Sequence, residues 1–167
     1  VLHYERESKG FKGRVDIHVG DVRQLDIGAL APVDGLMFGF PCNDFSNVGE
    51  RKGLKGNFGP LYSYGVEVLR KSIQPAWFIA ENVSGISNSD NGNTLKKILN
   101  ELRDSGYTVT AHKYCLEKYG VPQARHRIII VGFRDDLDLT FQVPKPEGKI
   151  ITVSEAFKDI PDDAANS

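Results

Sequence analysis

The chain reads as an α/β protein with a largely parallel sheet. Three observations predict this. Short apolar runs stand at Leu36-Met37-Phe38, Trp77-Phe78-Ile79-Ala80 and Ile128-Ile129-Ile130-Val131, the uninterrupted pattern of strands buried on both faces. Stripes at helical spacing separate them: Tyr62, Val66, Leu69 and Ile73, then Leu95, Ile98, Leu99 and Leu102. A polar residue stands just past three expected strand ends: Asp21, Cys42 and Glu81. Ligands of such sheets bind beyond the carboxyl ends of the strands, so these three side chains are expected to share one crevice.

Length and composition bound the rest. A chain of 167 residues is long enough for one domain with a real core. Hydrophobic content of 40% and charged content of 26% are ordinary for a globular protein, and no apolar run approaches membrane-spanning length. The formal net charge of -1 excludes a uniformly basic surface, so any contact with phosphates must come from local patches. Two cysteines, Cys42 and Cys115, make neither a disulfide framework nor a metal cluster. They suggest a reducing, intracellular setting, with Cys115 as a structural residue. The chain begins at Val1 and its one methionine is Met37, so it is expected to be a processed chain or an excised part of a longer one.

Each element has a local reason. Residues 1–14 are polar, with Gly10 and Gly13 as breakers, and little regular structure is expected there. Val15 to Val19 alternates as a half-buried strand, and Gly20-Asp21 ends it. Val22 to Leu30 suits a turn and a single helical turn. Gly35 to Gly39 is the next strand. The stretch from Pro41 to Gly59 carries four glycines among Glu50, Arg51, Lys52 and Lys55, the composition of a functional loop. Pro60 suits the start of a helix that runs to about Ser72 before Pro75. Trp77 to Ala80 is a buried parallel strand, followed by Glu81-Asn82-Val83. Asn93 is expected to cap a helix that Gly106 stops. Tyr107 to Ala111 and Ile128 to Val131 are strands, with Gln123 to Arg127 in the loop between them. A short helix from Val153 to Phe157 closes the pattern.

The segment Gly39-Phe40-Pro41-Cys42-Asn43-Asp44-Phe45-Ser46 organises the chain. A thiol just past a strand end, beside a proline that restrains its backbone, is a candidate nucleophile. The thiolate is the reactive species, and loop placement lets its surroundings tune its ionisation.

These motifs resemble the DNA (cytosine-5)-methyltransferase family. Gly39-Phe40-Pro41-Cys42 matches its catalytic segment. Glu81-Asn82-Val83 and Gln123-Ala124-Arg125-His126-Arg127 follow in the family's order and at its approximate spacing. The surrounding Gly20-Asp21, the run Asp90 to Leu95 and Tyr119-Gly120-Val121-Pro122 also look like the family, and the likeness covers roughly residues 15–160. It implies a Rossmann-like S-adenosylmethionine-dependent methyltransferase fold, mostly parallel, with helices on both faces and incomplete at both ends. It implies the transfer of a methyl group from S-adenosylmethionine to carbon 5 of cytosine, through a covalent cysteine adduct with a flipped-out base.

The resemblance assigns roles residue by residue. Cys42 would be the nucleophile, and Glu81 would serve ring nitrogen 3 from a closed apolar pocket. Arg127 and Arg125 would hold the base oxygen, and Asn82 would brace the loop. Asp21 would accept from the adenine amino group with Val22 beside the ring, and Phe40 and Pro41 would lie near the methionine end. Ser46, Arg51, Lys52 and Lys55 would meet double-stranded DNA from a closing loop. No metal or membrane is implied, and the setting would be cytoplasmic or nucleoid-associated, as in a restriction-modification system. Asn43 and Phe58 depart from the family's usual glutamine and arginine. Because the cofactor loop and target-recognition region are missing, residues 1–167 are expected to be a partial catalytic domain. It would be inactive without the rest of the parent polypeptide or a complementary chain. The alternative reading is a non-catalytic nucleic-acid- or partner-binding module derived from such an enzyme.

Overall fold

The computed structural model describes residues 2–8, 11–41, 61–71 and 74–160. The chain divides into two compact units, Val1–Leu30 and Ala31–Ser167.

In the first unit β1 (Leu2–Ser8) and β2 (Phe11–Ile17) form an antiparallel pair with Leu2 opposite Ile17 and Ser8 opposite Phe11. This corrects two expectations. Residues 2–8 are a strand, and the strand read at Val15 to Val19 begins earlier, ends at Ile17 and has β1 as its partner. A polar strand finds its stability in a hairpin ladder, which apolar periodicity does not reveal. Two 3-10 turns follow, Val22–Gln24 and Ile27–Ala29, each started by an aspartate. Asp21 accepts from the Arg23 amide at 2.9 Å and Asp26 from the Ala29 amide at 3.2 Å.

In the second unit four strands pair in the order β3-β4-β6-β5. They are β3 (Gly35–Gly39), β4 (Trp77–Val83), β5 (Tyr107–Cys115) and β6 (His126–Arg134). β3 and β4 are parallel, and β6 runs antiparallel to both β4 and β5. Three strands therefore share one direction, and the reversed β6 is inserted between two of them. β3 has the expected bounds but is an edge strand among the described residues, and Met37 is 69% exposed rather than buried.

β4 alternates, with Phe78, Ala80 and Asn82 buried on one face. That face carries the core. α1 (Tyr62–Leu69) contributes Tyr62, Val66 and Leu69, and α2 (Asn93–Arg103) contributes Ile98 and Leu102, with Leu95 and Leu99 packed at the margin. The predicted stripes Tyr62, Val66, Leu69 and Leu95 to Leu102 thus face the core, while α1 ends at Leu69, short of the expected Ser72, and Ser72 and Ile73 lie outside the described residues. Phe78 meets Tyr107 edge to face at 5.2 Å, and the Tyr107 hydroxyl donates to the Pro75 carbonyl at 2.7 Å. Burial pushes that phenol up to about 12. The Gln74 amide donates to the Leu69 and Ser105 carbonyls, tying the end of α1 to the turn after α2.

Asn93 does not cap α2. It is the first helical residue, and Gly92 precedes it at φ 84°. Asp90 and Asn91 also have positive φ, a conformation that Asp, Asn and Gly tolerate best. Gly106, at φ 89°, turns the chain from α2 into β5. A short α3 (Val153–Ala156) begins with a capping box between Thr152 and Glu155. No helix of the described residues is long and apolar enough to cross a membrane.

Candidate active site

The parallel pairing of β3 with β4 sets Gly39 opposite Glu81. The chain leaves β3 through Phe40 and Pro41 towards Cys42, and Cys42 itself lies outside the described residues. Phe40 is buried, with its ring 6.1 Å from Tyr62 and 6.3 Å from Phe38.

Asn82 holds this exit from below. It is 2% exposed. Its Nδ2 donates to the Phe40 carbonyl at 3.2 Å, and its Oδ1 accepts from the Val83 amide at 2.8 Å. The amide orientation is forced, because a backbone carbonyl only accepts and a backbone N–H only donates. A single buried side chain thus ties the end of β4 to the backbone two residues before Cys42. The expectation that Asn82 hydrogen-bonds to backbone there agrees with this geometry.

Glu81 belongs to β4 rather than to a loop after it, and alternation turns it to the face opposite Asn82. It pairs with Ile129 of β6, which places Arg127, two residues earlier in β6, diagonally across on the same face. The Glu81 Oε1 to Arg127 Nε separation is 2.6 Å. The contact is a close ion pair between the guanidinium and the carboxylate. Arg127 also donates through NH1 to the His126 carbonyl at 2.9 Å. The Glu81 side chain is 46% exposed, so the described residues do not enclose it in the expected apolar pocket. A Cβ at Gly39 would stand 3.7 Å from Glu81 Oε2, so the carboxylate lies against the bare face of that glycine. Gly39 is a site residue that the sequence reading used only as part of a motif. Its position opposite Glu81 follows from strand register.

His126 and Arg127 begin β6 instead of lying in the preceding loop. Arg125 is exposed, and its carbonyl accepts from the Leu116 amide at 2.9 Å.

Asp21 and Val22 lie in the first unit. They line a pocket of about 390 Å³ together with His18, Val19, Gly20, Gln24 and Leu25. The Asp21 carboxylate accepts from Arg23 through the backbone amide at 2.9 Å and Nε at 2.9 and 3.0 Å, and also pairs with NH2. These hydrogen bonds from Arg23 hold its carboxyl at about 2, below the usual carboxylate range. Ser46, Arg51, Lys52 and Lys55 lie, like Cys42, outside the described residues. The structure therefore brings together Phe40, Glu81, Asn82 and Arg127 from three strands and their ends.

Comparison with known proteins identifies the family. The sequence profile of the family described as C-5 cytosine-specific DNA methylase matches residues 5–167. The chain is 53% identical over 156 residues to the type II methyltransferase M.BbvI of Brevibacillus brevis, covering 88% of this chain and 41% of that protein. It is 41% identical over 145 residues to the type II methyltransferase M.HpaII of Haemophilus parainfluenzae, covering 84% of this chain and 40% of that protein. Among solved structures, a prophage-encoded protein of E. coli assigned as a DNA modification methyltransferase superposes with a TM-score of 0.63 at 26% identity. That match covers 86% of this chain and 41% of the other. The expected Rossmann-like architecture, mostly but not purely parallel, is thus the fold these proteins share. The chain spans about two-fifths of the length of the curated relatives it matches. On the extent of these matches, the chain belongs to the C-5 cytosine-specific DNA methylase family.

Proposed function

We propose that the protein containing this chain methylates carbon 5 of cytosine in double-stranded DNA. The observation that carries the reading is the arrangement around the exit from β3. There Asn82 holds the Phe40 carbonyl, and the Glu81–Arg127 pair lies beside Gly39, three residues before Cys42.

The chain's own residues support a coherent sequence of steps. The Cys42 thiolate adds to carbon 6 of a cytosine turned out of the duplex, and electron density moves through the ring towards nitrogen 3. Glu81 meets that nitrogen and supplies or shares its proton. Arg127, held beside Glu81, donates to the base oxygen, and Arg125 assists from the same segment. Carbon 5 is now a nucleophile. S-adenosylmethionine, when bound, supplies an electrophilic methyl group. Loss of the carbon 5 proton to a base then allows elimination, which breaks the carbon 6–sulfur bond and returns Cys42. Asn82 keeps Phe40 and Pro41 fixed, so the thiol keeps its aim.

The residues of the first unit fit an adenosine moiety. Val22 is an exposed apolar surface for a ring, and Asp21 is an acceptor for an amino donor. A carboxylate has about four lone-pair sites, and three Arg23 donors already converge on its two oxygens, so an adenine amino group competes with Arg23 for the carboxylate. Phe40 and Pro41 would meet the methionine end. Ser46, Arg51, Lys52 and Lys55 would contact DNA, and the work would be done in the cytoplasm or at the nucleoid. Residues 1–167 act as part of a larger catalytic domain, and alone they form no adduct.

Covalent trapping tests the proposal. DNA containing 5-fluorocytosine is incubated with S-adenosylmethionine and the full-length protein, this chain, or the Cys42→Ser form of each. A denaturant-stable adduct with the full-length protein, lost in Cys42→Ser, is expected. Its absence on DNA offering many sequence contexts would refute the catalytic reading.

A further inference from the structure

The ladder between β5 and β6 ends at the pair Cys115 and His126. Directly opposed residues of an antiparallel pair project from the same face, so thiol and imidazole are neighbours. Glu117 follows two residues after Cys115, in the 3-10 turn Leu116–Tyr119 that leaves β5. Its Oε1 lies 3.0 Å from His126 Nε2. Its other oxygen, Oε2, is buried, and the backbone amides of Glu117 and Arg125 also face the carboxylate and hold its carboxyl below the usual range. Cys115 is a free, half-buried thiol. One donor atom from each residue lies within 4.8 Å of the other two. Among the described residues this is the place where three His, Cys, Asp or Glu donors converge.

We propose that Cys115, Glu117 and His126 form a binding site for a zinc-class divalent cation. The Glu117–His126 hydrogen bond and the backbone amides of Glu117 and Arg125 account for the carboxylate but leave the thiol unused, whereas a cation engages all three side chains. Sulfur, imidazole nitrogen and carboxylate oxygen together suit zinc, which accepts each at roughly 2.0–2.3 Å and completes a tetrahedron with water. Donors at those distances lie roughly 3.5 Å apart, so side-chain rotation alone closes the site. Binding displaces the thiol proton of Cys115 and the proton on the coordinating imidazole nitrogen. His126 stands between Arg125 and Arg127, so an occupied site anchors the start of β6, which carries Arg127 and is immediately preceded by Arg125. Counting cysteines misses such a site, because two of its ligands are not cysteine and the strands, not the sequence, bring them together.

Cobalt(II) titration of chelator-stripped full-length protein tests this without DNA or S-adenosylmethionine, and so independently of the methylation reading. One equivalent per chain is expected, with a thiolate-to-cobalt charge-transfer band in the near ultraviolet and intense visible bands of a tetrahedral ion, both bleached by zinc. Cys115→Ser should abolish the charge-transfer band and Cys42→Ser should retain it. His126→Gln and Glu117→Gln should each weaken binding roughly tenfold or more. No saturable band, or a band that survives Cys115→Ser, would overturn the proposal. If circular dichroism shows that Cys115→Ser is unfolded, His126→Gln decides, because that side chain is exposed. Unchanged affinity in a folded His126→Gln protein would equally overturn it.

Discussion

Asn82 and Phe40 are joined across 42 positions of sequence by one buried hydrogen bond of 3.2 Å, from the Asn82 amide to the Phe40 carbonyl. Both polar atoms of the Asn82 amide are used, so neither can be lost without leaving a backbone group unpaired in the core. Asn82→Asp is the most informative change. It keeps the size but sets a carboxylate oxygen against the Phe40 carbonyl. It should destabilise the protein by about 1–3 kcal/mol in chemical denaturation and slow 5-fluorocytosine trapping. Native stability together with native trapping would remove Asn82 from its bracing role.

Glu81→Gln should separate chemistry from stability. Its partner Arg127 contributes little through a half-exposed ion pair, about 0–1 kcal/mol, so the unfolding midpoint should move slightly. The rate of adduct formation by the full-length protein should fall roughly a hundredfold or more if the carboxyl serves the ring nitrogen. An unchanged rate would show that Glu81 is only the electrostatic partner of Arg127.

Gly132 is opposite Phe78 in the β4–β6 ladder. A Cβ there would lie 2.1 Å from the Phe78 ring, which is fully buried and held against Tyr107. Gly132→Ala must therefore displace a core aromatic, and a loss of about 1–3 kcal/mol is expected. Gly148→Ala, a control at positive φ with open space around it, tests backbone strain without the collision. Equal losses in the two variants would contradict the packing explanation.

The Asp21–Arg23 pair predicts a titration. Nuclear magnetic resonance of the Asp21 carboxyl carbon should give a midpoint near 2, and Arg23→Gln should return it towards 3.8. The folded value is depressed, so whatever stability the pair contributes is complete above about pH 3.8 and is lost as pH falls through 2. Arg23→Gln should also tighten S-adenosylmethionine binding by the full-length protein if Arg23 competes for the carboxylate. A midpoint near 3.8 in the unaltered protein would remove the pair.

Much of the fold was legible along the chain. β3 has the predicted bounds, and the stripes over Tyr62 to Leu69 and Leu95 to Leu102 are buried helix faces. Gly106 turns the chain where expected. The hairpin at Leu2–Ile17 was not legible, because its strands are polar and their stability comes from each other. β4, β5 and β6 all run further than their apolar cores suggested, since ladder hydrogen bonds carry polar residues such as Glu81, Asn82, His126 and Arg127 into the sheet.

The sequence by itself determined most element types of the second unit and the family, and it nominated the candidate site residues. These are properties of neighbouring residues and short motifs, written in periodicity and spacing. Only the tertiary structure decided the strand order β3-β4-β6-β5, the reversal of β6 and the meeting of Glu81 with Arg127. It alone placed Cys115 opposite His126 and Asn82 against Phe40. Register between distant strands is set by pairing across the sheet, and a slip of one residue would turn every one of these side chains to the other face.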